Sequence, residues 1–190
     1  MPSLGTGIDS GQSKVTWDGG KSAVPLRLSI TGVAYVTELI ARLTSSPVDC
    51  STNVNQTLDS SDITFPLDRA LYVDFSHDNT IAAIVSAMGI HKPQKHLPTR
   101  KQQSSSEWLF SRIAPFAGRL AVEKYTCQAK TGSDMGKWVR VLSDDAVVDL
   151  PECQESMPGG LCSLQSFIQH QLVYAQSRQA IDDWNSCFEL

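Results

Sequence analysis

One junction constrains this chain more than any other. Ala70-Leu71-Tyr72-Val73-Asp74-Phe75 is a short apolar run rich in β-forming residues, and it passes without a break into Ser76-His77-Asp78-Asn79. Directly after that tetrapeptide, Ile81, Ile84, Val85 and Met88 recur at i, i+3, i+4 and i+7, one face of an amphipathic helix. Gly89 stands where such a helix closes on a left-handed residue. A mostly buried strand, a polar turn and a helix in that order make an α/β unit, so an α/β fold is expected.

The same spacing appears upstream in Val36, Leu39, Ile40 and Leu43, with Pro47 just past the point where that helix must end. Residues 1–31 are rich in Gly, Ser and Asp and hold no sustained period. They read as a poorly ordered head, apart from a short apolar piece at Val24–Leu28, with the folded part over 32–190. Two polar loops, 45–68 and 90–106, flank the central unit. Beyond them Trp108–Ile113 is a short apolar segment and Leu120–Cys127 reads as a strand. Lys137–Leu142 and Ala146–Leu150 read as a hairpin that turns at Ser143-Asp144-Asp145. Cys153 and Cys162 bracket a loop carrying Pro158-Gly159-Gly160, and a last helix from near Ser163 turns Leu164, Phe167, Ile168 and Leu172 inward. Trp17, Trp108, Trp138 and Trp184 are read as packing residues.

The 190 residues are 41% hydrophobic and 19% charged, enough apolar material for a core. Sixteen Lys plus Arg against twenty Asp plus Glu leave a net charge of −4, which argues against nucleic acid as the main partner. No run of about 18 apolar residues is present, so no membrane-spanning helix is expected. The first residues have neither a basic start nor an apolar run and do not read as a secretory signal. Five cysteines and the glycosylation sequon Asn55-Gln56-Thr57 nonetheless look extracellular, and an odd number of cysteines cannot all pair within one chain.

Chemistry is expected at Ser76-His77-Asp78-Asn79. In open α/β sheets ligands bind beyond the carboxyl ends of the strands, and the free N–H groups of the following helix favour an anion. His77 in its charged form would neutralise a phosphate oxygen. Protonated Asp78 would hand its proton to a departing alkoxide, which leaves slowly without one. Ser, Asp and Asn before an apolar helical run are also the preferred N-cap residues, and capping alone accounts for the same tetrapeptide. Lys92, Lys95, Arg100 and Lys101, with His91 and His96, make the loop 90–101 basic. A polyanion would be drawn there, and a solvated surface loop accounts for the same residues. No Gly-rich phosphate loop, Cys-x-x-Cys or His-Glu-x-x-His occurs, so neither zinc nor a nucleotide cofactor is expected.

Longer stretches carry more information than the tetrapeptide. They are Gly32-Val-Ala-Tyr-Val-Thr-Glu-Leu-Ile-Ala-Arg-Leu43, Gln56-Thr-Leu-Asp-Ser-Ser61, Leu71-Tyr-Val-Asp-Phe-Ser-His-Asp-Asn79 and Pro115-Phe-Ala-Gly-Arg-Leu120. The strand ending at Cys127, Val139-Arg-Val-Leu142 and Asp183-Trp-Asn-Ser-Cys-Phe188 continue the series. Together and in this order they resemble the fungal phytases of the histidine acid phosphatase family, from about Gly32 to Phe188. The resemblance implies an α/β, phosphoglycerate-mutase-like fold of which this chain matches the C-terminal part. The N-terminal part of the sheet and most of the helical domain then have no counterpart here. It also implies acid hydrolysis of phosphate monoesters, notably myo-inositol hexakisphosphate (phytate), through a phosphohistidine intermediate, by a secreted enzyme. Carried over residue by residue, His77 is the phosphate contact and Asp78 the proton donor to the leaving oxygen.

The family's nucleophile is the histidine of an Arg-His-Gly-x-Arg-x-Pro motif, and none of His77, His91, His96 and His170 lies between Arg and Gly. Without that group the covalent step has no attacking atom, so the chain alone is expected to be inactive or nearly so. The resemblance further implies a Cys153–Cys162 pair, and partners for Cys127 and Cys187 in a part of the family that this chain does not match. Buried free thiols are the alternative for those two, and Cys50 has no counterpart. Two explanations fit the length. A start lying upstream accords with the absent signal, the odd cysteine count and the onset at Gly32. The other is a short non-catalytic protein that binds phosphate or a partner without turnover.

Overall fold

The computed structural model describes residues 23–49, 54–91, 108–128, 135–150, 153 and 156–175. Helix α1 spans Ala23–Thr44. It ends just before Pro47, as the sequence predicts, but it begins well ahead of Gly32, so the unstructured head expected for residues 1–31 gives way to helix from Ala23 onward. Ala23 to Leu28 explain why: Ala, Leu and Arg favour helix, and Pro25 falls in the first turn, where its missing N–H would have had no partner. Thr37 and Thr44 send their hydroxyls back to the carbonyls of Val33 and Ile40, which keeps both polar groups satisfied inside the helix.

A four-residue helix, α2 (Gln56–Asp59), follows under the cap of Asn55, whose side chain accepts from the Leu58 N–H at 3.4 Å. Helix α3 (Asp78–Ala87) buries Ala82, Ala83, Ile84, Val85 and Ser86. It closes as expected at Gly89, which sits at φ 70°. The Gly89 N–H donates to the Ser86 carbonyl and the Ile90 N–H to the Val85 carbonyl, the paired bonds of a Schellman cap with Ile90 buried behind it. A single turn, α4 (Phe110–Ile113), carries Ile113 into the core beside Trp108, which is 2% exposed. Of the other tryptophans, Trp138 is half-buried, and Trp17 and Trp184 lie outside the described residues.

The sheet is antiparallel throughout. Strand β1 (Leu120–Gln128) pairs along its whole length with β2 (Met135–Ser143), from Leu120 opposite Ser143 to Gln128 opposite Met135. The hairpin read from sequence is present: β3 (Ala146–Val147) folds back on Leu142 and Ser143, and Asp144 and Asp145 make the two-residue turn at φ 49° and 65°. Positive φ at both positions is the geometry that matches the twist of a tight hairpin. Two strands not legible in the sequence, β4 (Ser156–Met157) and β5 (Leu161–Ser163), extend the sheet in the order β1-β2-β5-β4. Their length, two and three residues, leaves no alternation to read. Helix α5 (Leu164–Ala175) starts directly from β5 and buries Leu164 and Phe167, with Ile168 and Leu172 half-buried.

Val139 and Val141 of β2 face inward and are fully buried. They meet Val36, Leu39 and Leu43 of α1, Ile84, Val85 and Met88 of α3, and Phe167 of α5 in one cluster. Burying each such aliphatic side chain contributes about 1.5–3 kcal/mol. Helices and sheet therefore share one core, and α3 is fastened to it along its length.

Ala70–Phe75 is the departure from expectation. The predicted buried strand is irregular, and among the described residues no strand pairs with it. Leu71 is 76% exposed, Val73 59% and Phe75 95%. The apolar run is the one the sequence shows, but a buried strand needs a hydrogen-bonded neighbour and a covering layer, and the described residues supply neither.

Candidate active site

His77 is the N-cap of α3 and Asp78 its first residue, so the polar tetrapeptide lies at the junction where the sequence places it. His77 holds extended backbone at φ −108° and ψ 165°, and its carbonyl accepts from the N–H groups of Thr80 and Ile81. Its imidazole makes no capping hydrogen bond. Asp78 Oδ1 accepts from the Asn79 N–H at 2.8 Å. Both side chains are exposed. His77 stands at the N-cap position without capping through its side chain, whereas Asp78 takes up the first-turn N–H of Asn79, as the plainer, structural reading of these residues expects. Two neighbouring polar groups stand open to solvent at the N-terminus of a ten-residue helix, the end of a helix that favours an anion.

What fixes this junction lies on α1. Arg42, in the last turn of that helix, places Nη1 2.7 Å from Asp74 Oδ2, and the Tyr35 hydroxyl donates to the same oxygen at 3.3 Å. The guanidinium lies over two rings, with centroids at 4.9 Å for Phe65 and 5.0 Å for Tyr72. Tyr72 and Asp74 therefore turn toward α1 while Leu71, Val73 and Phe75 turn away. Alternate side chains thus take opposite sides although no sheet forms among the described residues.

Further carboxylates gather near Arg42. Burial raises the pKa of Glu38, the charge of Asp59 adds to the effect, and Arg42 works against it. Asp59 is also raised by burial and held back by Arg42. The Tyr35 hydroxyl is pushed up by burial first and by Asp74 second. This cluster was not found by sequence reasoning, because Tyr35, Glu38, Arg42, Asp59 and Asp74 are scattered through three segments that no local pattern joins.

A second positioning contact is the approach of α1 to α3. A Cβ on Gly32 would lie 2.2 Å from the carbonyl oxygen of Ala83 and 2.8 Å from the Ala87 methyl. The bare backbone at residue 32 lets the two helices touch, and that contact sets where the start of α3 points.

The remaining sequence-predicted positions fall as follows. Cys153 and Cys162 form a disulfide with Cα atoms 5.8 Å apart. Cys127, on β1, is free and half-buried. Cys50 and Cys187 lie outside the described residues, as does the basic loop from Lys92 to Lys101, with His96. Asn55 is exposed. Among the described residues, no group of three or more His, Cys, Asp or Glu is arranged to hold a metal ion, and no helix is long and apolar enough to cross a membrane.

Residues 19–144 match the histidine phosphatase superfamily, branch 2, and the chain belongs to that family. The match begins ahead of Gly32 and takes in α1, α3 and the first hairpin. Among characterised relatives, phytase A of Aspergillus awamori is 43% identical over 163 residues, 82% of this chain and 32% of its own length. Phytase A of Arthroderma benhamiae is 40% identical over 159 residues, 82% of this chain and 34% of its own. The crystal structure of the phytase from D. castellii superposes with a TM-score of 0.52 at 26% identity, over 75% of this chain and 26% of that one. The fold is thus part of a histidine acid phosphatase fold, and the chain spans about a third of the length of the relatives it matches.

Proposed function

We propose that this chain carries the proton-donor half of a phytase-like acid phosphatase site. The observation that supports it is the pair His77 and Asp78, adjacent and exposed at the start of α3, in a chain of a phosphatase family. In this reading a phosphate monoester of phytate sits against the N-terminus of α3. His77 contacts a phosphate oxygen, and Asp78 gives its proton to the ester oxygen as the P–O bond breaks and the phosphoryl group passes to a nucleophile supplied from outside these 190 residues, so that the leaving group departs as an alcohol. The family's covalent route needs a histidine flanked by Arg and Gly, which these 190 residues do not contain, so the chain alone turns over little or no phytate. The setting is secreted, with Asn55 as the glycan acceptor. The same missing motif favours one other reading, a non-catalytic protein that binds phosphate or a partner.

Phosphate titration followed by the His77 ring resonances, beside a phytate hydrolysis assay in acid, tests this. Saturable binding that His77→Ala removes, with no turnover, is the expected result. A chain that shows no phosphate-dependent shift at His77 overturns it. Turnover that survives Asp78→Asn overturns the role given to that carboxyl.

A further inference from the structure

Residues 54–67 lie on α1 as a self-contained cover. Among the described residues, every backbone hydrogen bond made by residues 54–65 stays inside that stretch, from the Gln56 N–H on the Val54 carbonyl to the Phe65 N–H on the Ser61 carbonyl. The side-chain bonds of Asn55, Ser60 and Thr64 are internal as well. One small apolar cluster seats the cover, with Phe65, Val54 and Leu67 against Ala41 and Val48, and it is separate from the main core. The Phe65 ring also lies 4.9 Å from the Arg42 guanidinium. A unit joined to the rest by so few apolar contacts opens more readily than the core does.

Where the cover meets α1, one cation and three carboxyls gather. Glu38 and Arg42 come from α1, Asp59 from α2 and Asp74 from the extended stretch, with the Tyr35 hydroxyl beside them. Lys124 of β1 reaches the same end of α1 but donates to the Leu43 carbonyl at 2.7 Å. Arg42 gives Nη1 to Asp74, while Arg42 Nε and Asp59 Oδ2 are buried without a hydrogen-bond partner among the described residues. A carboxylate with a buried, unbonded oxygen is costly when ionised, and protonation lowers that cost. Burial raises the pKa of both Glu38 and Asp59, and Arg42 opposes it in each.

We propose that residues 54–67 form an acid-closed cover over Arg42, seated while Glu38 and Asp59 are protonated and lifted as they ionise. Lifting it returns Asp59 to water and takes its charge away from Glu38. The closed state therefore binds protons more tightly, and closure is lost as pH rises through the raised folded values. Closure keeps the rings of Phe65 and Tyr72 together on the guanidinium and shields its bond to Asp74, three residues ahead of His77. The stretch leading to His77 is thus held most firmly in acid. The cover depends on α1 and residues 54–67 and stands whatever His77 and Asp78 do.

Amide hydrogen exchange of the full 190-residue chain at about pH 4 and about pH 7.5, taken relative to each amide's intrinsic rate, reads the cover. A helix of four residues does not persist alone, so the amides of Ser60 and Phe65 lose their partners when the cover lifts. Their protection is expected to fall about tenfold or more over that range, while Met88, bonded to the Ile84 carbonyl in the core, keeps its own. The Tyr72 ring resonances are expected to shift over the same range. Glu38→Gln combined with Asp59→Asn, which holds both groups neutral, is expected to remove most of the fall. Unchanged protection at Ser60 and Phe65, an equal loss at Met88, or a fall that survives the double variant overturns the inference. A Tyr72 ring that does not respond overturns the link to the stretch before His77. Phosphate binding at His77 is measured separately on the same chain, so failure of the cover and failure of the proposed site are told apart.

Discussion

Arg42 Nη1 stands 2.7 Å from Asp74 Oδ2, and this contact ties the last turn of α1 to the residue three positions ahead of His77. Arg42 is mostly buried and Asp74 half-exposed, at 14% and 45% by side chain. The pair is therefore partly shielded from water, and the two aromatic rings on the guanidinium shield it further.

Arg42→Met is expected to destabilise the chain by about 2 kcal/mol, the scale of a charged hydrogen bond discounted for the exposure of Asp74. It strands Glu38, Asp59 and Asp74 without their cation. Arg42→Lys recovers only part of the loss, because an ammonium cannot lie flat between two rings. Urea unfolding of the three proteins checks both statements, with equal midpoints for Lys and Arg as the contrary result.

The raised carboxyls give stability a direction in pH. Glu38 and Asp59 have folded-state pKa values above their ordinary ones, mainly through burial. Their contribution is fully present below the ordinary carboxylate pKa and is lost as pH rises through the raised folded values. Glu123 acts in the opposite sense, since hydrogen bonds from Tyr125 and Arg140 hold it down. The comparison that isolates the effect is wild type against Glu38→Gln, whose urea midpoint should fall less as pH is raised from the ordinary carboxylate range toward neutrality.

Gly32→Ala places a methyl group 2.2 Å from the Ala83 carbonyl oxygen. Overpacking of this kind costs about 1–3 kcal/mol. Thermal unfolding should show the loss, and the chemical shifts of His77 and Asp78 should move with it because α3 is displaced as a body. An unchanged melting temperature would show that the helices are not in contact at residue 32.

His77→Ala should leave stability within about 0.5 kcal/mol, since the imidazole is exposed and caps nothing. A loss near the value of a true N-cap would return the tetrapeptide to a purely structural role.

Reduction of Cys153–Cys162 opens a loop with a sequence separation of 9 and should cost about 2–3 kcal/mol on loop entropy. Denaturant midpoints with and without reductant give the measurement. Cys162, buried beside Val139 across the β2–β5 pairing, makes Cys162→Ala the more damaging of the two single changes.

Much of this fold was legible locally. The 3.6-residue spacing placed α1 and α3, Gly89 gave the helix end, and Asp144-Asp145 gave the hairpin, because each depends on neighbours within a turn. The candidate pair His77 and Asp78 was legible for the same reason, as a polar step between an apolar run and a helical face. Leu71, Val73 and Phe75 are exposed against expectation, since a run of apolar, β-forming residues reports what a segment suits and not whether a partner is present. Arg42 with Asp74 was missed because thirty-two residues separate them and only packing brings them together. The helical start at Ala23 was hidden by the Gly and Ser content of the residues ahead of it.

The bare backbone at Gly32 has a consequence for how such a chain can vary. Most positions along α1 can trade one side chain for another of similar size, with the neighbours adjusting. At residue 32 the neighbour is a main-chain carbonyl, which every amino acid at position 83 presents alike. No side-chain change on α3 can remove that carbonyl, so a larger residue at position 32 is accommodated only by moving the helix that carries His77 and Asp78.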